Sequence, residues 1–139
     1  MPRLALGVLL LIALGFVYLH AQTTSRDSTL FVNLTSDDAW RAEMALHYAQ
    51  QAQRLGYRVV LFLNVRGVYV ARKNPPASLR QAQANLQQMI RAGATVYVCP
   101  MCSRRAGMRV PDDWIEGVKA GSEEVIHLQM GANTRVMSY

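Results

Sequence analysis

Cys99 and Cys102 are the only cysteines in the chain, separated by Pro100 and Met101. They follow Val96-Tyr97-Val98, a run of β-formers, and precede Ser103-Arg104-Arg105-Ala106-Gly107, a short basic segment closed by glycine. Such spacing aims two thiols at one point where a strand turns into a helix. A thiol reacts as its thiolate, and a helix N-terminus or a nearby Arg lowers the thiol pKa below its free value of roughly 8.5. Both influences are at hand, because amides of a turn over residues 103–107 can point back at Cys99 and two arginines bring positive charge. The expected site is therefore Cys99 and Cys102 as reacting thiols, with Ser103, Arg104 and Arg105 stabilising the thiolate. The inert alternative is Cys99 as a small hydrophobe ending a buried strand.

Several chemistries fit these residues poorly. A disulfide across so tight a loop removes little chain entropy, since the gain grows with loop length. Structural zinc wants four ligands, and beyond the two cysteines the chain offers only His20, His47 and His127, far apart in sequence. No metal is expected. Flavin or dinucleotide binding would need a glycine-rich phosphate loop after the first strand, and the acidic Thr35-Ser36-Asp37-Asp38 would repel phosphate. No cofactor is expected. A thioredoxin-like protein also carries Cys-x-x-Cys after a strand, but here Pro100 follows the first cysteine directly and no tryptophan precedes it. Three uses of the pair stay open: sulfur transfer through a persulfide, dithiol/disulfide oxidoreduction, and a non-catalytic binding module.

The elements that would hold the thiols can be read along the chain. Met1-Pro2-Arg3 leads into Leu4 to Leu19, sixteen residues without a charge, followed by Ala21. A spanning helix needs about 20 apolar residues, with about 17 as a lower end. The pattern is that of a secretory signal peptide over residues 1–21, with an uncleaved anchor over 4–19 as the alternative. The expected location is outside the cytoplasm, periplasmic or held at the inner membrane by that segment, and membrane contact is expected only through it. Residues 22–29 read as a tether and 30–139 as one domain, a common size for a single core. Net charge is +6 and the basic residues are scattered without interleaved aromatics, so no nucleic-acid partner is expected.

Leu30 to Leu34 reads as a first strand, and Thr35 with Asp38 as a capping box opening a helix to about Leu55. Trp40, Met44, Tyr48 and Leu55 recur at helical spacing and are expected in the core, with Gly56 as the stop. Arg58 to Asn64 is a second strand, with the apolar interior of one buried on both faces. Residues 65–73 are left between loop and extended chain. A second helix follows Ser78 and ends at Gly93, and Ala94 to Cys99 is the third strand. Pro111 to Ile115 reads as a short helical turn, Val125 to Leu128 as a fourth strand and Thr134 to Tyr139 as a fifth. Strands alternating with helices give an α/β, mainly parallel five-stranded sheet in a flavodoxin-like three-layer sandwich. Ligands of such sheets sit beyond the carboxyl ends of the strands, so Thr35 and Ser36 are expected to line one crevice with Cys99.

Taken together, Val96 to Cys102 with Gly107, Ile115-Glu116-Gly117-Val118, Phe31 to Thr35 leading into an Ala-rich helix, Gly56 to Leu63 and Gly67-Val68 resemble the DsrE/DsrF-like family. The similarity spans roughly Leu30 to Met130 and lies in the order and spacing of short motifs. The resemblance implies a small α/β fold assembling into trimers or hexamers, and a role in sulfur oxidation or sulfur relay. In that role the cysteine after the third strand, Cys99 here, carries a sulfane sulfur as a persulfide and passes it to an acceptor thiol, as a sulfurtransferase-like carrier. The implied partners are sulfur donor and acceptor proteins or small thiols. Cys102 varies within the family. The leader is a departure, because the sulfur-relay members are cytoplasmic, and export makes a Cys99–Cys102 disulfide a competing fate.

Overall fold

The computed structural model describes residues 27–139. The leader and most of the tether expected from the sequence lie outside the described residues. Among the described residues no helix is long and apolar enough to cross a membrane.

Five strands form one sheet: β1 (Thr29–Leu34), β2 (Arg58–Leu63), β3 (Thr95–Val98), β4 (Val118–Ala120) and β5 (Thr134–Ser138). All neighbours are parallel and the order is β4-β3-β2-β1-β5. The α/β class, the parallel sheet and helices on both faces are as expected; the strand order is not the flavodoxin order, because β1 lies between β2 and β5. The connections β1 to β4 all step the same way, and right-handed crossovers put their helices on one face. The return from β4 to β5 spans the whole sheet and crosses the other face. The core divides accordingly. Leu30, Val32, Leu34, Leu61, Leu63, Val96 and Val98 pack under α1 (Ala39–Arg54) and α2 (Arg80–Arg91), whereas Phe31, Val60 and Tyr97 meet only α4 (Glu123–Gln129).

The segment Val125 to Leu128, expected as a strand, is part of α4, and the fourth strand is Val118–Ala120 instead. Ser122 caps this helix by accepting from the Glu124 amide, and Glu123 and Glu124 occupy the first turn, where the helix dipole favours negative charge. Val125 is buried and Ile126 exposed, so the apolar run is amphipathic around a helix axis. The expected capping box also resolves differently. Asp38 alone caps α1, accepting from Arg41 N at 2.9 Å, while the Thr35 hydroxyl donates to the Tyr139 carbonyl at 2.6 Å.

The largest correction concerns α1. Trp40, Met44, Tyr48 and Leu55 are exposed (77%, 45%, 51% and 74%), and the buried face is Ala42, Ala45, Leu46 and Ala49. Both sets recur at helical spacing. The alanine face lets the helix approach the sheet and α2 closely, and Gln53 reaches across to donate to the Met89 and Ala92 carbonyls.

At the carboxyl end of β2 the chain folds back on β1. Gly67 N–H donates to the Thr35 and Asn64 carbonyls, and Arg66 N–H also donates to Thr35. A side chain at Gly67 would place its Cβ 2.1 Å from the Leu34 carbonyl oxygen. Residues 67–71 then form a 3-10 turn whose Val68 and Val70 are buried. Gly67→Ala therefore cannot be absorbed without moving backbone, and overpacking of this kind costs about 1–3 kcal/mol or more. A lowered urea midpoint for the variant is the expected result; an unchanged midpoint would contradict the packing described.

Candidate functional site at the carboxyl end of strand β3

Strand β3 continues into the site through Cys99, whose N–H donates to the Leu63 carbonyl at 2.9 Å. Cys99 then takes the N-cap position of α3 (Pro100–Arg105), with Pro100 in the first turn, where its missing N–H costs nothing. The Cys99 Sγ accepts from the Cys102 N–H at 3.2 Å. Both cysteines are free thiols, and both are partly buried against the core. The sequence spacing thus does bring the two sulfurs together at a strand-to-helix turn.

The charge state of Cys99 departs from the sequence-based expectation. Burial pushes its thiol above the ordinary 9.0, and a hydrogen bond with the Cys102 side chain pushes the same way. The amides of Cys102 and Met101 pull it down and are outweighed. No arginine contributes to the shift. Desolvation of the charged form wins over partial dipoles, as it does for thiols in apolar surroundings.

The other expected neighbours separate. Ser103 is fully buried, and its Oγ accepts from Trp114 Nε1 at 3.0 Å. It belongs to the packing of the loop rather than to the sulfurs. That loop is stitched down by Ile115 N–H to the Ala71 carbonyl and by Lys73 N–H to the Asp113 carbonyl, so Trp114 anchors α3 to the 3-10 turn. Arg104 is exposed. Arg105 lines a cavity of about 340 Å³ together with Val65, Arg66, Tyr69, Cys102 and Ala106. Thr35 and Ser36 are absent from that lining. Strand β2 lies between β1 and β3, so the loop after β2, not the one after β1, faces the cysteines.

Sequence reasoning missed this loop. Arg66 is held by Asp37, with Nη2 at 2.5 Å and Nε at 2.8 Å from one carboxylate oxygen, and the guanidinium carbon lies 5.4 Å from the Tyr69 ring centre. Hydrogen bonding from Arg66 holds the Asp37 carboxyl below its usual range. Val65 adopts φ 48°, a left-handed conformation that is a genuine outlier for a β-branched residue and costs of order 1–3 kcal/mol. The signal that finds this loop is strand order, which puts the end of β2 beside the end of β3. Among the described residues no three His, Cys, Asp or Glu side chains stand together as a metal site would require.

A sequence profile described as the DsrE/DsrF-like family matches residues 27–138. The chain belongs to this family. Curated relatives include an uncharacterized protein of Methanocaldococcus jannaschii, 39% identical over 80 residues, covering 57% of this chain and 69% of the relative. Another, from Methanopyrus kandleri, is 36% identical over 80 residues, covering 57% of this chain and 65% of its own length. The chain thus spans a little under two thirds of the Methanopyrus relative. Among solved structures it is similar to a protein of unknown function from Methanobacterium thermoautotrophicum, with TM-score 0.67 at 17% identity, covering 81% of this chain and 100% of that one. It is also similar to the ychN protein from E. coli, with TM-score 0.61 at 19% identity, covering 81% and 99%. Identities this low carry the fold alone. As a DsrE/DsrF-like protein the chain stands in a family associated with sulfur relay.

The raised Cys99 thiol has a directional consequence. The fold favours its neutral form, so the stability linked to this group is complete below pH 9.0 and is lost as pH rises through the higher folded-state value. Alkylation of Cys99 by iodoacetamide at about pH 8 should be several-fold slower than that of glutathione and should keep climbing beyond the ordinary thiol range. An inflection below that range would contradict the burial argument.

Proposed function

We propose that this DsrE/DsrF-like protein is a sulfur carrier that holds sulfane sulfur as a persulfide on Cys99 and passes it to an acceptor thiol. The observation that carries the reading is the pairing of Cys99 and Cys102 at the end of β3, with an amide N–H on the Cys99 sulfur beside a cavity. Loading breaks the donor's S–S bond and forms one to Cys99, and the electron pair leaves on the donor. Unloading reverses the roles, with the acceptor thiolate attacking the outer sulfur. No net oxidation occurs in either step. The amide that now meets the Cys99 sulfur would also meet negative charge developing there, which favours ionised sulfur during transfer even though burial favours the thiol at rest.

Should Cys102 instead attack the inner sulfur, hydrosulfide leaves and a Cys99–Cys102 disulfide remains, which an external thiol must reduce. Residues 1–21 support export, where that oxidised form gains weight. The trial is intact mass after incubation of the reduced protein with polysulfide, followed by peptide fragmentation. One added sulfur localised at equilibrium to Cys99, with transfer to an acceptor thiol abolished in Cys99→Ser, is the expected result. No stable sulfur on Cys99 in the wild type, from polysulfide or from a protein persulfide supplied in its place, ends the proposal.

A second reading, assembly, is favoured by the exposed face of α1. Trp40, Met44, Tyr48 and Leu55 form an apolar stripe of the kind that marks a protein contact. Self-association of this face, into the trimers or hexamers that the family resemblance suggests, accounts for large apolar side chains left outside the core. Sedimentation should give an oligomer for the wild type and a smaller species for Tyr48→Glu with Leu55→Glu. A wild-type monomer at micromolar concentration would remove this reading.

A further inference from the structure

We propose that the cavity between the β2 loop and α3 binds a small anionic sulfane-sulfur compound, and that Cys102 is the thiol that receives its sulfur before Cys99 holds it. This rests on the persulfide-carrier reading and deepens it by assigning separate work to the two thiols.

Cys102, Arg105 and Ala106 are related by three and four positions, so they share one face of α3, and all three line the cavity. Cys99 is not in that lining; its sulfur instead takes the Cys102 amide. An incoming molecule in the cavity therefore meets Cys102 first. The cavity wall contains two arginines and no carboxylate. Arg66 is engaged by Asp37. The two ion pairs among the described residues are Arg66–Asp37 and Arg109–Asp113, and neither uses Arg105. Its charge is thus available to a ligand. The remaining wall is Val65, Tyr69 and Ala106, an apolar lining that suits a soft, polarisable sulfur chain better than a strongly hydrated oxyanion. Val65 holds its place at the cost of a left-handed backbone, and strain of that kind collects at ligand sites. Inorganic polysulfide and thiosulfate share the required chemistry: a negative end for Arg105 and a sulfane sulfur for Cys102.

The transfer balances without an oxidant. The Cys102 thiolate attacks the sulfane sulfur, the donor S–S bond breaks, and sulfite or a shortened polysulfide leaves with the electron pair. Cys99 then attacks the outer sulfur of the Cys102 persulfide. A Cys99–sulfur bond forms, the Cys102–sulfur bond breaks, and the Cys99 proton passes to the departing Cys102 sulfur. Cys99 is half-buried and lies outside the cavity lining, which suits a holding position.

The test uses the full, reduced chain with two readouts. The first compares alkylation of Cys102 by iodoacetate, an anion, and iodoacetamide, its neutral counterpart. In Arg105→Gln the iodoacetate-to-iodoacetamide rate ratio should fall by roughly tenfold, and added salt should lower the wild-type ratio toward it. Equal ratios in wild type and variant overturn the anion site. The second readout follows sulfur loading from polysulfide and from thiosulfate in separate arms, by quenched peptide fragmentation. Sulfur should appear on Cys102 before Cys99, should accumulate on Cys102 in Cys99→Ser, and should reach Cys99 roughly tenfold more slowly or worse in Cys102→Ser. Wild-type loading of Cys99 in Cys102→Ser sinks this proposal and leaves the carrier reading standing. Loading only from a protein persulfide, with neither small anion active, also sinks it and assigns the cavity to a protein donor. No loading of either thiol from any donor removes both.

Discussion

The contact on which the site depends is the close approach of the Gly67 backbone to the Leu34 carbonyl. It brings the chain leaving β2 back against the end of β1, where the Thr35 carbonyl accepts from the Arg66 and Gly67 amides. Only a residue without Cβ fits there. Because that return is fixed, the residues before it (Val65 and Arg66) face sideways toward α3 instead of over the sheet. The same turn continues into buried Val68 and Val70, so core burial holds the wall of the cavity. Trp114 ties Ser103 of α3 into the core. The scaffold thus carries a site made from the loop after β2 and from α3, at the carboxyl ends of the strands where parallel α/β sheets place their sites.

At the sulfurs, two opposing effects meet. Amides at the start of α3 favour charge on Cys99, and burial disfavours it more strongly. A permanently ionised cysteine would be exposed to oxidation. A thiol that is neutral at rest but has hydrogen-bond donors already aimed at it gives up some nucleophilicity and gains protection. The arrangement suits a partly shielded thiol better than a fast surface nucleophile.

The two faces of α1 show how competing apolar patterns are resolved. Ala42, Ala45, Leu46 and Ala49 are buried while Trp40, Met44 and Tyr48 are exposed. Summed hydrophobicity would choose the larger set. Packing density chooses the smaller one, because a helix packed on the sheet and beside α2 must approach both closely, and interiors tolerate neither voids nor excess volume. The larger residues are left on the surface.

The sequence by itself determined the alternation of strands and helices, the positions of β1, β2, β3 and β5, the helix stops at Gly56 and Gly93, and the meeting of Cys99 with Cys102. Each of these is set by neighbours within a few residues: period, β-branching, caps and glycine. Val125 to Leu128 misled because a mostly apolar run of four residues is too short to separate a strand from a helix turn. Only the tertiary structure decided that β2 stands between the ends of β1 and β3, and hence that Val65, Arg66 and Tyr69, not Thr35 and Ser36, share a cavity with Cys102. Strand order arises from crossovers and layer packing, which join residues 22 to 105 positions apart, and no local pattern in the chain encodes that pairing.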